Sequence, residues 1–165
     1  RDCLLSRGLG DVYKRQDKSM SEIFDTKTLE NHVLSLYTRA VPVMNDDGIS
    51  MPLNTFFRKN TPNDIQGEFC FADEDGYHYR VLERDILYHD DITISLSEIT
   101  YWAIKGAISD AAAIYEAKNR ILGQDFRRIM FSKELQYFNA VSPEYEQRDR
   151  VEINSILEKF PFQDE

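Results

Sequence analysis

GEFCFADEDGYHYRVLE, Gly67 to Glu83, is the stretch whose reading decides the fold. Phe69 and Phe71 alternate with Glu68 and Cys70, the period-2 pattern of a half-buried strand. Asp73-Glu74-Asp75-Gly76 supplies turn residues. Tyr77, Tyr79 and Val81 then alternate with His78, Arg80 and Leu82 as a second strand. This predicts a hairpin. Downstream, Ile86–Tyr88 and Ile92–Ile94 offer further strand, with Asp90-Asp91 read as a turn between them.

The chain changes character just after the hairpin. Ser95-Leu96-Ser97-Glu98 is a capping box, with Ile94 and Ile99 spaced as a hydrophobic staple. The helix it starts is predicted to carry Ile99, Trp102, Ala103, Ala107, Ile114, Ala117 and Ile121 on one face and to stop at Gly123. That is about 27 residues, roughly 40 Å. Gly106 and Ala111–Ala113 point to close approach of a neighbouring element or to a kink, and Asp110 needs a partner if it is buried. A further helix is expected from Asp125, as N-cap, to about Asn139, with Phe126, Ile129, Met130, Tyr137 and Phe138 apolar. Ser142-Pro143 opens a last helix with Tyr145, Ile153, Ile156, Leu157 and Phe160 inward, ended by Pro161.

Upstream of the hairpin, Leu29, Val33, Leu36, Tyr37 and Ala40 recur at helical spacing, so a helix is expected from about Lys27 to Arg39, capped by Asp25 or Thr26. Pro42, Pro52 and Pro62, with the turn Asn45-Asp46-Asp47-Gly48, exclude a long helix between Val41 and Gln66. A short strand near Ile49–Leu53 is compatible with that segment, and Phe56 and Phe57 argue that part of it docks on the core. The fold class is α+β: a small antiparallel sheet or hairpin packed with about four helices, the C-terminal half helical.

Length and composition set the outer bounds. A chain of 165 residues, 42% apolar and 30% charged, suits one globular domain. No apolar run approaches the ~18–20 residues of a membrane span, so a soluble chain with no membrane partner is expected. With 20 basic and 29 acidic residues the net charge is −9, which opposes non-specific binding to nucleic acid and favours basic partners. Residues 1–16, RDCLLSRGLGDVYKRQ, lack either periodicity and resemble translated sequencing-adapter read-through. On that reading residues 1–19 are an artefactual or disordered tail, Met20 is the start, and residues 20–165 are a single domain. The sixteen residues carry four basic and two acidic side chains, so the remainder has a net charge of −11.

Motifs that carry chemistry are few in this chain. There is no glycine-rich phosphate loop, no HExxH and no nucleophile elbow. Cys3 and Cys70 have no metal-ligand or disulfide-framework spacing. His32, His78 and His89 are scattered. Cys70 with His78 on a paired strand could form a thiol–imidazole pair, and acid pairs such as Asp90-Asp91 are metal ligands by type. Both arrangements have commoner structural explanations, so no enzyme, no metal and no cofactor are expected.

Two charged sets stand out instead. The first is the acidic turns: Asp46 and Asp47, Asp73 to Asp75 with Glu74, and Asp90 and Asp91. They are candidate contacts for a basic protein partner, although Asp also favours turns for backbone reasons alone. The second surrounds GQDFRRIMF, Gly123 to Phe131. Arg127 and Arg128 fall in the first turn of a helix, where the dipole disfavours cations, so they need acidic partners. Glu116 and Arg120 are spaced i, i+4 in the favourable order. With Glu83, Arg84 and Asp125 these residues form a candidate structural charge network, Glu83 being the leading expected partner of Arg127 or Arg128.

The order of these features resembles the immunity protein 63 family of bacterial polymorphic toxin systems. The matching pieces are YHYRVLERD (Tyr77 to Asp85), Thr93 before the capping box, and EITYW (Glu98 to Trp102). An alanine-rich stretch, Glu116 with Arg120, DFRRIMF (Asp125 to Phe131) and a terminal helix ending in Pro161-Phe162 complete the set. Asp85 stands where the family pattern has glycine. The resemblance implies a non-enzymatic, cytoplasmic protein that binds and neutralises a cognate toxin domain, and an acidic chain suits a basic toxin such as a nuclease.

Overall fold

The computed structural model describes residues 23–164. The expectations for residues 1–19 and for Met20 lie outside the described residues. Five helices and three strands follow one another as α1 (Thr26–Tyr37), α2 (Val41–Asp46), β1 (Gly67–Asp73), β2 (Gly76–Glu83), β3 (Ile86–Thr93), α3 (Leu96–Lys118), α4 (Arg127–Val141) and α5 (Pro143–Lys159). The α+β class is as the sequence predicts, with one helix and one continuous strand more than its outline.

The strands form an antiparallel meander in the order β1-β2-β3. Phe69, Phe71, His78, Arg80, Leu82, Leu87, Asp90 and Ile92 share one face, and Cys70, Ala72, Tyr77, Tyr79 and Asp91 share the other. The second face lies against the helices. Cys70 and Tyr77 join a core with Leu29 and Val33 of α1, Ile99, Ile104 and Ile108 of α3, and Tyr137 and Phe138 of α4. Helix α3 packs along α4, which packs along α5.

Asp90-Asp91 is not a turn. Both residues sit inside β3, and the reversal lies at Arg84-Asp85, between the paired residues Glu83 and Ile86. Arg84 and Asp85 have φ of 52° and 65°. A two-residue loop with both centres left-handed matches the twist of the strands it joins, which is why such loops favour glycine. The same geometry explains the departure at Asp85. Asp is among the few residues that tolerate this region.

The capping box forms through an intermediary. The Glu98 N–H donates to Ser95 Oγ at 3.2 Å, but the Glu98 carboxylate accepts from Thr93 Oγ1 at 2.8 Å rather than from the Ser95 backbone. The Ser95 N–H donates to Thr93 Oγ1 at 3.1 Å. Helix α3 ends earlier than its hydrophobic pattern suggests, with Asn119 as C-cap. Ile121 and Leu122 are therefore exposed loop residues, Leu122 at 94% exposure. Ile114 is also exposed, and the buried face instead includes Tyr101, Ile104, Ile108 and Ala112. At Gly106 an added Cβ would stand 2.7 Å from Glu68 Oε1, so the close approach is to β1, while Asp110 is exposed.

Val41–Asp46 is a short helix because Pro42 sits in its first turn, where a missing N–H costs nothing. Ile49–Leu53 is not a strand. Phe126, Ile156 and Phe160, expected inward, are exposed. The proline-containing segment crosses the outer face of the sheet. The Phe56 N–H donates to the Glu68 carbonyl, the Cys70 N–H donates to the Phe56 carbonyl, and the two rings of Phe56 and Phe69 stack at 5.3 Å. Further on, the Asp85 N–H donates to the Ile65 carbonyl at 3.0 Å. The segment thus closes the open edge of β1 and buries Phe69, Phe71 and His78.

Candidate partner-binding surface

The acidic residues singled out in the sequence divide into engaged and free. Asp47 is engaged: its carboxylate accepts from Lys133 Nζ at 2.7 Å and from the Tyr137 hydroxyl at 2.9 Å, tying the end of α2 to α4. Asp90 accepts from Arg80 Nε at 2.6 Å across the strand pair. Asp73 accepts from His78 Nε2 at 2.7 Å and from the Asp75 N–H at 2.9 Å, and these bonds hold its carboxyl below the usual range, His78 contributing most. Among the described residues Asp91 pairs only with the exposed His89, at 3.3 Å. Asp46, Glu74 and Asp75 are exposed and make no ion pair among the described residues. Glu83 and Asp85, at the β2–β3 turn, are exposed likewise.

The charge network is two units, not one. Arg120 donates to both oxygens of the buried Glu116 at 2.8 Å each. Arg127 binds Asp125 through Nε and Nη2, the latter at 2.6 Å, and donates to the Phe160 and Pro161 carbonyls. Asp125 also accepts from the backbone N–H of Arg127 and of Gln163. These bonds, Arg127 first, hold its carboxyl well below the ordinary carboxylate value. Arg128 pairs with Asp164 at 2.7 Å and lies 4.2 Å from the centre of the Phe162 ring. The expected pairing with Glu83 is therefore replaced by Asp125 and Asp164. Glu83 and Arg84 sit on the hairpin turn, and no ion pair among the described residues links them to this junction. Arg120, Asp125 and Arg127 instead border an open groove of about 500 Å3 together with Leu122, Phe126 and Gln163.

Sequence reading missed the third charged set. Lys105 of α3 contacts the fully buried Asp149 of α5 and lies 2.8 Å from the buried Glu134 of α4. The Tyr101 hydroxyl donates to Asp149 at 2.9 Å, and the Ser109 hydroxyl donates to Glu134. Burial, then the neighbouring Glu134, pushes the Asp149 carboxyl up against the pull of Lys105. A single cation thus joins three helices at their common centre. Its only sequence signal is polar residues at positions where the α4 and α5 periodicities place the core.

Cys70 and His78 lie on opposite faces of the sheet, because their cross-strand partners are Tyr79 and Phe71. The thiol–imidazole pair does not form. Burial drives the Cys70 thiol far above its ordinary value, so it is un-ionised at neutral pH. Among the described residues no group of three or more His, Cys, Asp or Glu is placed to hold a metal ion. None of their helices is long and apolar enough to cross a membrane.

Among the described residues, Asp46, Glu74 and Asp75 have no ion-pair partner and β3 pairs with no strand beyond β2. A family model for immunity protein 63 matches residues 73–155. The chain belongs to the immunity protein 63 family. The matched region runs from the first hairpin turn through β2, β3, α3 and α4 into α5, while α1, α2 and the segment over β1 lie before it. No curated protein and no solved structure matches the chain.

Proposed function

We propose that this chain is an immunity protein that binds a cognate polymorphic toxin domain in the cytoplasm of the producing bacterium and neutralises it by covering its surface. Membership of the immunity protein 63 family carries this reading. The charge balance supports it. Asp46, Glu74, Asp75, Glu83, Asp85 and Asp91 leave the surface acidic, and such a surface attracts a basic partner and speeds its encounter. A toxin that acts on nucleic acid has the matching basic character. The Asp47, Asp90, Glu116 and Asp125 carboxylates already have cations and contribute to the fold rather than to the contact.

The test is protection. Where a toxin gene lies immediately upstream of the gene for this chain, its C-terminal domain is expressed in a sensitive host with and without the chain. Growth should be restored by this chain and not by an unrelated immunity protein, and the purified pair should co-elute. Continued killing in the presence of abundant folded chain would leave an adaptor for some other partner as the better reading.

A further inference from the structure

The two edges of the sheet are treated differently. The edge of β1 is closed by the Phe56 bridge, whose backbone pairs with Glu68 and Cys70. The edge of β3 pairs with no further strand or bridge among the described residues. Seven of its eight residues are exposed. Successive residues of an edge strand turn their N–H and C=O groups outward in alternation, so β3 presents a row of unpaired donors and acceptors about 26 Å long, at ~3.3 Å per residue, interrupted by a bulge at Tyr88 between the Val81–His89 and Leu82–Leu87 pairs.

Edges of this kind are usually blunted by lysine, proline or a cover. Here Ile86-Leu87-Tyr88 and Ile92 carry large apolar side chains at 49–57% exposure, and Ile94 follows at 69%. Leu87 and Ile92 project from the outer face, on which the proline-containing segment reaches the β2–β3 turn through the Asp85 N–H to Ile65 carbonyl bond. Asp90 between them is neutralised by Arg80. The rim is acidic on balance: Glu83 and Asp85 flank Arg84 at one end, Asp91 lies along the strand, and Glu74 and Asp75 stand at the other end, in the turn that leads to Gly76 beside Thr93.

We propose that β3 is the strand onto which the toxin docks, by adding an extended segment of its own to the free edge. The complementary segment has apolar side chains towards Leu87 and Ile92 and lysine or arginine towards the acidic rim. Main-chain pairing supplies affinity that does not depend on sequence, while the two apolar positions and the rim charges supply specificity. This rests on the reading of the chain as an immunity protein, and it goes further by naming the surface and the conformation of what it binds.

The experiment uses the full chain and the upstream toxin domain. In the complex, amide hydrogen exchange across residues 86–93 should slow, and the L87K/I92K double variant should lose roughly 100-fold in affinity, the scale of two central contacts. Both positions are about half exposed, so the variant should melt as the parent does. Wild-type protection with unchanged exchange at 86–93, or with undiminished binding by the variant, would overturn the docking strand and leave the immunity reading intact. Failure of the wild-type chain to protect would overturn both. A free chain that sediments as a dimer, dissociated by L87K/I92K, would assign the edge to a second copy instead. The exchange measurement needs no variant, so the inference stays open to refutation if the double variant misfolds.

Discussion

The helical half and the sheet handle polar groups in opposite ways. In the helical half, Glu134 and Asp149 are buried and held by one lysine, and the last carbonyls after α5 are taken up by Arg127. In the sheet, β1 is covered on its edge and both faces, while β3 has an open edge and exposed apolar side chains. Buried charge is costly unless paired, so the first arrangement fixes one geometry and tolerates little change. An open edge is costly in solubility rather than in stability. The difference locates constraint in the helices and availability in β3.

The most damaging way to break that contrast is to remove the shared cation. Lys105→Met leaves Glu134 and Asp149 buried without it and should cost about 3–5 kcal/mol at neutral pH, read by urea denaturation. Its pH dependence follows from Asp149, whose folded pKa is already raised by burial. A carboxyl with a raised folded pKa holds its proton more tightly folded than unfolded. Its contribution therefore becomes more favourable as pH falls through the folded value towards the unfolded value near ~4. Lys105 opposes that rise, so its loss enlarges it. The deficit of Lys105→Met relative to the parent should narrow on acidification from pH 7 to 5. A deficit independent of pH would mean that the acids are not the cause.

A smaller effect is expected where the arginines meet the C-terminal tail. Arg127→Ala loses Asp125 and two carbonyls at once, and its side chain is only 18% exposed. Arg128→Ala loses one pair between half-exposed partners and the contact with the Phe162 ring, each of which contributes little at an exposed site. Melting temperatures should fall by several degrees for Arg127→Ala and much less for Arg128→Ala, with toxin affinity retained in both. The Arg127–Asp125 bond also gives a pH limb of opposite sign to that of Asp149. Asp125 has a depressed folded pKa, so its contribution is present above the unfolded carboxylate value and is lost as pH falls below it.

The sequence announced what local chemistry decides. The Asp73–Gly76 turn, the Ser95 cap, Pro143 at the start of α5 and the helix at Leu29–Tyr37 each follow from short-range rules. It misled where tertiary contacts decide. Asp90-Asp91 reads as a turn, but Arg80 neutralises Asp90 within the ladder. Ile121 fits the helical period, but the chain leaves the helix at Asn119, two residues before it. Arg127 and Arg128 signalled a need for acids, and one of those acids, Asp164, sits 36 residues beyond Arg128 on a tail with no pattern to reveal it. Lys105 is inconspicuous in sequence, because one lysine on a long helix is ordinary until two other helices aim carboxylates at it.

The smallest change tests whether the open side of the sheet carries strain of its own. Arg84 and Asp85 both have left-handed backbone, and Asp85 occupies the second centre of the two-residue loop. Glycine has no Cβ to crowd the carbonyl in this region, whereas asparagine and aspartate only reduce that penalty. Against this, glycine adds conformational freedom to the unfolded chain. At a positive φ the first effect exceeds the second, so Asp85→Gly should raise stability by about 0.5–1 kcal/mol in urea denaturation. The exposed carboxylate it removes has no ion-pair partner among the described residues to offset the gain. If β3 docks a basic segment, the same substitution should slow association modestly, because one rim charge is gone, while leaving dissociation unchanged. Raised stability with a slower on-rate would separate the turn's backbone role from its charge. Lower stability would show that Asp85 holds the turn by a contact that glycine cannot replace.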